Sequence, residues 1–234
     1  MTAIRKRGRD PVESQRRLLE SALLHFARAG LNGARVEEIV ADAGLSQRML
    51  YHYFGDKEGL YVATLEHAYE GIRRAEAALD LASLPPLDGI RRLTEFTYDY
   101  YHAEPACMAL LHQENLLDGR FVRRSDRARA LQATLLDSLD DLIRRGRTDG
   151  VIRRPIDAVQ LYIDIAGLAY FALSNRHTLS AIFGRDLGDP AFLAERRRHI
   201  GDVVIAAVTA PPLAAEAVTT PQVTADRSGS PGNR

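Results

Sequence analysis

The sequence holds a single cysteine, Cys107. No disulfide can close within the chain, and a reducing compartment is the expectation. Charge of one sign is missing too. Lys+Arg and Asp+Glu number 31 each, which excludes a chain that is basic throughout but not one that is basic locally. No long apolar run occurs. The most apolar stretch, 161–173, is 13 residues long and contains Asp164, whereas a membrane span needs about 20 apolar residues. The basic start runs into Asp10-Pro11-Val12-Glu13 instead of an apolar segment, so no secretory signal is read. A soluble, cytoplasmic protein with no membrane partner is expected. Runs of alternating β-branched residues, the mark of strands, are absent, and no internal repeat is found. A nucleophile elbow, a phosphate loop, a zinc motif and a dinucleotide fingerprint are all lacking. No catalytic residue, metal site or cofactor is therefore assigned.

What is present is helical. Hydrophobic residues make up 46% of the chain, enough for a sizeable core. Pro11, Pro85, Pro86, Pro105, Pro155 and Pro190 read as punctuation between helices, because proline suits a helix's first turn and disrupts its interior. Asp10, Pro11 and Glu13 form the start signal of a first helix, with Glu13 placed for a capping box. Gly30 ends it. A short helix over 36–43 follows, then Gly44, then a helix over 47–54 with Ser46 as its cap. Gly55 breaks that one, and Asp56 caps a long fourth helix to about residue 81. Further helices are expected over 87–103, 106–117, 126–147, 156–182 and 190–208, the fourth of these either continuous or broken near Ser174. Asp157 and Gln160 offer a second capping box. The fold class is all-α, with about nine helices.

Four parts follow along the chain. Residues 1–9 hold Arg5, Lys6, Arg7 and Arg9 and no acid. The remainder is then left with 27 basic against 31 acidic residues, a basic arm on a mildly acidic body. The arm reads either as a phosphate or minor-groove contact or as a solvated, disordered leader. Residues 10–55 form a three-helix unit and 56–208 a larger helical one. Residues 209–234, without an aromatic and rich in Pro, Thr, Ser and Gly, read as a disordered tail.

The segment 36–54 carries the strongest signal. Two short helices flank the turn Ala43-Gly44-Leu45-Ser46, and Ile39, Ala43, Leu45 and Leu50 are spaced to pack them together. That is a helix-turn-helix, whose second helix enters the DNA major groove. A wider set of residues sits in one register with it: Leu19, Ala22, Phe26, Gly30, Leu50-Tyr51, Tyr53-Phe54, Lys57 and Leu60. Over 10–64 the chain thus resembles the N-terminal domain of the tetracycline-repressor (TetR) family of bacterial regulators. The stretch from His177-Thr178-Leu179 to Phe183-Gly184 resembles a late segment of some members. The resemblance implies a homodimer that binds a double-stranded DNA operator, with a helical body that senses a small-molecule inducer of unknown identity.

Carried over residue by residue, the resemblance puts Gln47, Arg48 and Met49 at base-reading positions. Arg can bridge guanine O6 and N7, Gln can pair with adenine, and an apolar tip can meet a thymine methyl. Tyr51, Tyr53 and Lys57 fall where the family touches phosphates or lines the groove. His52 adds a phosphate contact, and Ser46 caps the helix and aims its amide end at a phosphate. The family's usual Thr or Ser before the second helix is missing: Ala34 and Arg35 stand there. A hydroxyl cap worth ~1 kcal/mol is lost, and Arg35 supplies a charged phosphate contact instead. The bland alternative makes Tyr51 and Tyr53 core aromatics, and Leu50 and Phe54 are read as core.

In the body, 161–173 is apolar nearly all round. One stripe is Val159, Ile163, Ala166, Tyr170 and Leu173; another is Leu161, Ile165, Leu168 and Ala172. Such a helix must be covered on every side. One face is assigned to the core and one to a partner subunit, so that the last two helices, about 156–208, pair across a two-fold axis as a four-helix bundle. The plain alternative is a central helix of a monomer. Gly167, beside Ala166 and Ala169, is read as a point of close helix approach. The middle helices mix apolar and polar groups as pockets do. Tyr98, Tyr101, His102, Met108, His112, Asn115 and Tyr170 are the candidate ligand residues, against interhelical hydrogen bonding in an ordinary core. His102, His112 and Glu114 match no metal-ligand spacing. The rival class is a small helical enzyme using the Tyr, His and Glu of these helices.

Overall fold

A computed structural model describes residues 10–211. The arm expected over 1–9 lies outside the described residues. So does the tail expected over 209–234, apart from its first three residues, of which Thr209 still belongs to the last helix. Among the described residues there are ten α-helices and no strand. They are α1 (Pro11–Gly33), α2 (Val36–Asp42), α3 (Gln47–Phe54), α4 (Lys57–Ala77), α5 (Pro86–Ala103), α6 (Pro105–Leu116), α7 (Asp126–Thr148), α8 (Ala158–Ser174), α9 (Arg176–Phe183) and α10 (Pro190–Thr209). The tenth helix arises because the stretch expected over 156–182 breaks at Asn175, which joins α8 to α9.

Short polar side chains fix five of the ten helix starts. Asp10 accepts from Val12 N at 3.0 Å, Asp56 from Gly59 N at 2.7 Å, Ser125 from Ala128 N at 2.9 Å and Asp157 from Gln160 N at 2.9 Å. Each such cap is worth ~1 kcal/mol. Two expected caps differ. Glu13 turns forward to Arg16, at 2.8 Å, instead of back to Asp10. Ser46 occupies the cap position of α3, but its side chain makes no capping bond. The fourth helix also stops earlier than expected. Asp80 takes a left-handed conformation (φ 48°) and the chain tightens into a 3-10 turn at Leu81–Ser83, which buries Leu81 in the body core. The start of α2 has no side-chain cap, as the missing hydroxyl implied. Glu37 and Glu38 in its first turn complement the helix dipole instead.

Two main cores result. The first gathers Leu18, Phe26, Ile39 and Leu50 of α1–α3 and continues into Leu60, Tyr61 and Leu65 of α4, Leu110 of α6 and Phe121. Tyr61 stands edge-on to Phe26 at 4.9 Å and to Phe121 at 5.2 Å. Full burial of a large apolar side chain stabilises by ~1.5–3 kcal/mol, so this shared core welds the N-terminal helices to α4 and α6. The second core joins α5, α7, α8 and α10 through Ile90, Leu93, Leu139, Leu142, Leu161, Ile165 and Val204. The loop between α7 and α8 is tied down by Arg153 N, which donates to Val208 O at 3.1 Å.

Candidate nucleic-acid interface and ligand cleft

The turn between α2 and α3 is built on Gly44, at φ 63°, a conformation that costs other residues ~1–2 kcal/mol. Gly44 N returns to Ala41 O at 2.9 Å and Leu45 N to Val40 O at 2.8 Å. Ile39, Ala43 and Leu50 are buried and Leu45 packs on them. One face of α3 is thus fixed against the core, and the other is presented to solvent.

The outward face carries Arg48, Tyr51 and His52, spaced three and four residues apart. Arg48 makes no hydrogen bond or ion pair among the described residues. Tyr51 is 48% exposed, which removes the core alternative for it. Tyr53 is half-buried, tilted against His52 at 5.3 Å and edge-on to Phe54 at 6.2 Å; it belongs in part to the core. Phe54, expected as core, is half-buried against it. Met49 is half-buried and Ser46 exposed. Three of the candidates are engaged within the protein. Gln47 Nε2 donates to Glu37 Oε1 at 3.1 Å, Lys57 Nζ to Asn32 O at 3.4 Å, and the Arg35 guanidinium lies 3.9 Å from Glu38. Sequence reasoning missed His25, a buried residue of α1 whose Nε2 sits 2.6 Å from Asp42 and whose Nδ1 sits 3.8 Å from Glu38. It pins α2 to α1. Its apolar surroundings in sequence gave no sign of that role.

In the body a cleft of about 780 Å³ opens between α6 and the α8–α9 junction. Of the candidate ligand residues, Tyr101, His102, Met108, His112 and Tyr170 line it. Two do not. Tyr98 is buried in a small core with Ile200 and Ala169, its hydroxyl without a partner. Asn115 is exposed and turns back along its own helix, donating to Leu111 O at 2.9 Å. Its amide therefore serves α6 itself, not the apolar stripe. The cleft also takes Gln113, Arg176 and His177, which the sequence reading did not select. The break at Asn175 brings the last two there, and helical periodicity alone does not locate it.

Gln113 has a second neighbour. A Cβ built on Gly30, where α1 is kinked at φ 66°, would lie 2.9 Å from Gln113 Oε1. One side chain thus lines the cleft and abuts the helix that carries α2 and α3.

Beside the cleft runs an apolar groove of about 400 Å³ between α8 and α10, lined by Leu161, Ile163, Leu168, Val203 and Val204. The inner stripe of α8, with Leu161 and Ile165, is buried. The outer one is uncovered in the single chain, Ile163 at 54% and Val159 at 48% exposure. Gly167 has nothing within 4 Å of an added Cβ, so no close helix approach within this chain explains it. Among the described residues no group of three His, Cys, Asp or Glu could hold a metal ion. Glu114 instead accepts Phe121 N and Val122 N, at 2.7 and 2.8 Å. No described helix is long and apolar enough to cross a membrane.

Residues 18–64 match the family described as bacterial regulatory proteins, tetR family, and residues 86–204 match the Tetracyclin repressor-like, C-terminal domain. The chain is 37% identical over 188 residues to the HTH-type transcriptional repressor NicS of Pseudomonas putida, a match covering 80% of this chain and 89% of that one. It is 30% identical over 174 residues to the HTH-type transcriptional repressor SCO4008 of Streptomyces coelicolor, covering 71% and 81%. Among solved structures, AibR in complex with isovaleryl coenzyme A and operator DNA has the same fold at a TM-score of 0.62, with 17% identity and coverage of 85% and 99%. The regulator PfmR of Thermus thermophilus gives 0.55, with 23% identity and coverage of 81% and 97%.

Proposed function

Since this chain belongs to the TetR family of bacterial regulatory proteins, we propose that it is a repressor that grips a palindromic operator as a homodimer and lets go when a small molecule occupies the cleft. It is a DNA-binding transcriptional regulator and not an enzyme, which disposes of the rival class. The finer assignments are the proposal. Residues 10–55 form the DNA-reading head and 56–208 the sensing and dimerising body. Arg48 reads a base edge, with Gln47 and Met49 beside it once Gln47 leaves Glu37. Tyr51, Tyr53, His52, Ser46, Lys57 and Arg35 hold phosphates. Tyr101, His102, Met108, His112 and Tyr170 hold the ligand. The groove on α8 and α10 is the dimer face.

Two heads one DNA turn apart, ~34 Å, match successive major grooves of a palindrome. A ligand that prefers a body with a different head spacing lowers DNA affinity, by no more than its own preference between the two states. The observation that carries this coupling is Gln113, shared between the cleft and the Gly30 kink of α1. The test is a gel-shift and footprint with the DNA upstream of the protein's own gene. Protection of two half-sites about one helical turn apart is expected. Failure to bind any duplex overturns the reading.

A further inference from the structure

We infer that the ligand of this cleft is a small organic oxyanion, a carboxylate or phosphate carried on a flat apolar body. The inference rests on the cleft being the ligand site.

The charge of the walls is the first observation. No Asp or Glu lines the cleft, in a chain where acids and bases are equal in number. Arg176, His102, His112 and His177 do. Arg176 forms no ion pair among the described residues. Its Nε contacts only the neighbouring ring, His177 Nε2, at 3.3 Å. Some arginines of the body are matched, Arg197 at 2.7 Å from Glu95 and Arg91 at 2.8 Å from Asp202, while Arg176, at the exposed mouth of the cleft, is left with its remaining donors free among the described residues. A cation placed here would meet a guanidinium and three imidazoles with no counter-charge. An oxyanion would meet donors, since Arg presents a planar fork and each neutral imidazole one N–H.

The second observation is the start of α9. Residues 175–177 line the cleft, and α9 begins at Arg176 without a side-chain cap. Asn175, at the cap position, instead turns its amide back to Phe171 O at 3.0 Å and Ser174 Oγ at 2.9 Å. The first-turn N–H groups and the positive end of the helix dipole are left for an anion.

The inner end supplies the third. Tyr101 stands edge-on to Tyr170, centroids 6.3 Å apart and planes at 90°, and Met108 lies beside them. Two crossed rings and a thioether make an apolar slot suited to a flat body. The volume, about 780 Å³, is within the range of small-molecule pockets.

Benzoate, phenyl phosphate and the neutral benzamide are the probes, titrated calorimetrically into the full-length protein. The expected result is that benzoate or phenyl phosphate binds and benzamide does not; which of the two is tighter identifies the headgroup. Arg176→Gln should weaken that binding roughly tenfold or more, the worth of a charge-assisted hydrogen bond, and Arg176→Lys should restore part of it. Ala109 stands on the α6 wall of the cleft; Ala109→Trp fills the cleft and should abolish that binding while the helical circular dichroism signal is kept. Benzamide binding as tightly as benzoate, and blocked by Ala109→Trp, would overturn the oxyanion and leave the cleft standing. Oxyanion binding that Ala109→Trp does not touch would overturn the cleft itself. No binding by any probe overturns the oxyanion proposal, because its headgroup and slot are common to both anionic probes.

Discussion

Arg48 and Lys57 carry the same charge and sit in different settings. Arg48 projects from the free face of α3 with nothing to bind in the protein, while the Lys57 ammonium leans on Asn32 O at 3.4 Å. Arg48→Ala should cost ~1–3 kcal/mol on the operator and relax preference at one base pair per half-site. Lys57→Ala should weaken all sequences alike and flatten the salt dependence. Titration against base-substituted operators separates the two, and an identical uniform loss contradicts both roles. Glu76 makes a different residue-scale prediction. The folded protein holds its proton up to about pH 7, whereas an unfolded chain releases it near ~4.3. Between those values the folded state binds more protons, so stability falls as pH rises through the window. Glu76→Gln should remove that slope. Urea melts of both proteins at about pH 5 and about pH 7.5 check it, and an unchanged slope would assign the trend to other groups.

Elements are where local signals met their limits. Asp10, Asp56 and Asp157 were legible as caps because a short acid ahead of an apolar-periodic run has few other uses. Ser46 was legible as a position but not as a bond, since rotamer choice is decided by neighbours. The kink at Gly30 shows how a break can also be a contact. Ala at φ 66° and ψ 179° would sit in a backbone region that is essentially glycine's alone, so Gly30→Ala should lower the unfolding free energy by about 1–3 kcal/mol. The nearby Gln113 Oε1, 2.9 Å from the added carbon, is the end of a flexible side chain and can move. The loss should therefore persist in a Gln113→Ala background. Chemical denaturation of the four proteins of that cycle measures it; a loss that vanishes with Gln113 would place the strain in the contact instead of the backbone.

At the scale of the whole molecule the uncovered face of α8 and α10 dominates. Ile163, 54% exposed, and Val203, 38% exposed, flank a groove walled by Leu161 and Val204. Ile163→Asp sets a charge in the middle of it while leaving the inner stripe of α8 untouched. By light scattering the wild type should be dimeric and the variant monomeric. Its operator affinity should fall steeply, because two separate heads lose the effective concentration that pairing gives. A wild-type monomer at micromolar concentration would remove the dimer from the mechanism, and a dimeric Ile163→Asp variant would move the interface elsewhere.

The helix-turn-helix is readable in the sequence alone. A glycine that must adopt a left-handed turn, short helices on either side and an apolar set at fixed spacing are local conditions, met within about twenty residues of chain. The apolar-all-round helix was readable for a similar reason, because composition alone says that both faces need cover. The cleft was only half readable. Tyr101, Met108 and Tyr170 carry the mixed character of a pocket in their own sequence neighbourhood. Tyr98 and Asn115 carry it equally, and packing sent one into a core and the other back onto its helix. Arg176 and His177 reached the cleft through the break at Asn175, and Gln113 reached α1 through the packing of α6 beside it. Those meetings join residues tens of positions apart. No local propensity records them, and only the tertiary structure, which sets one helix against another, decided which charges face the same space.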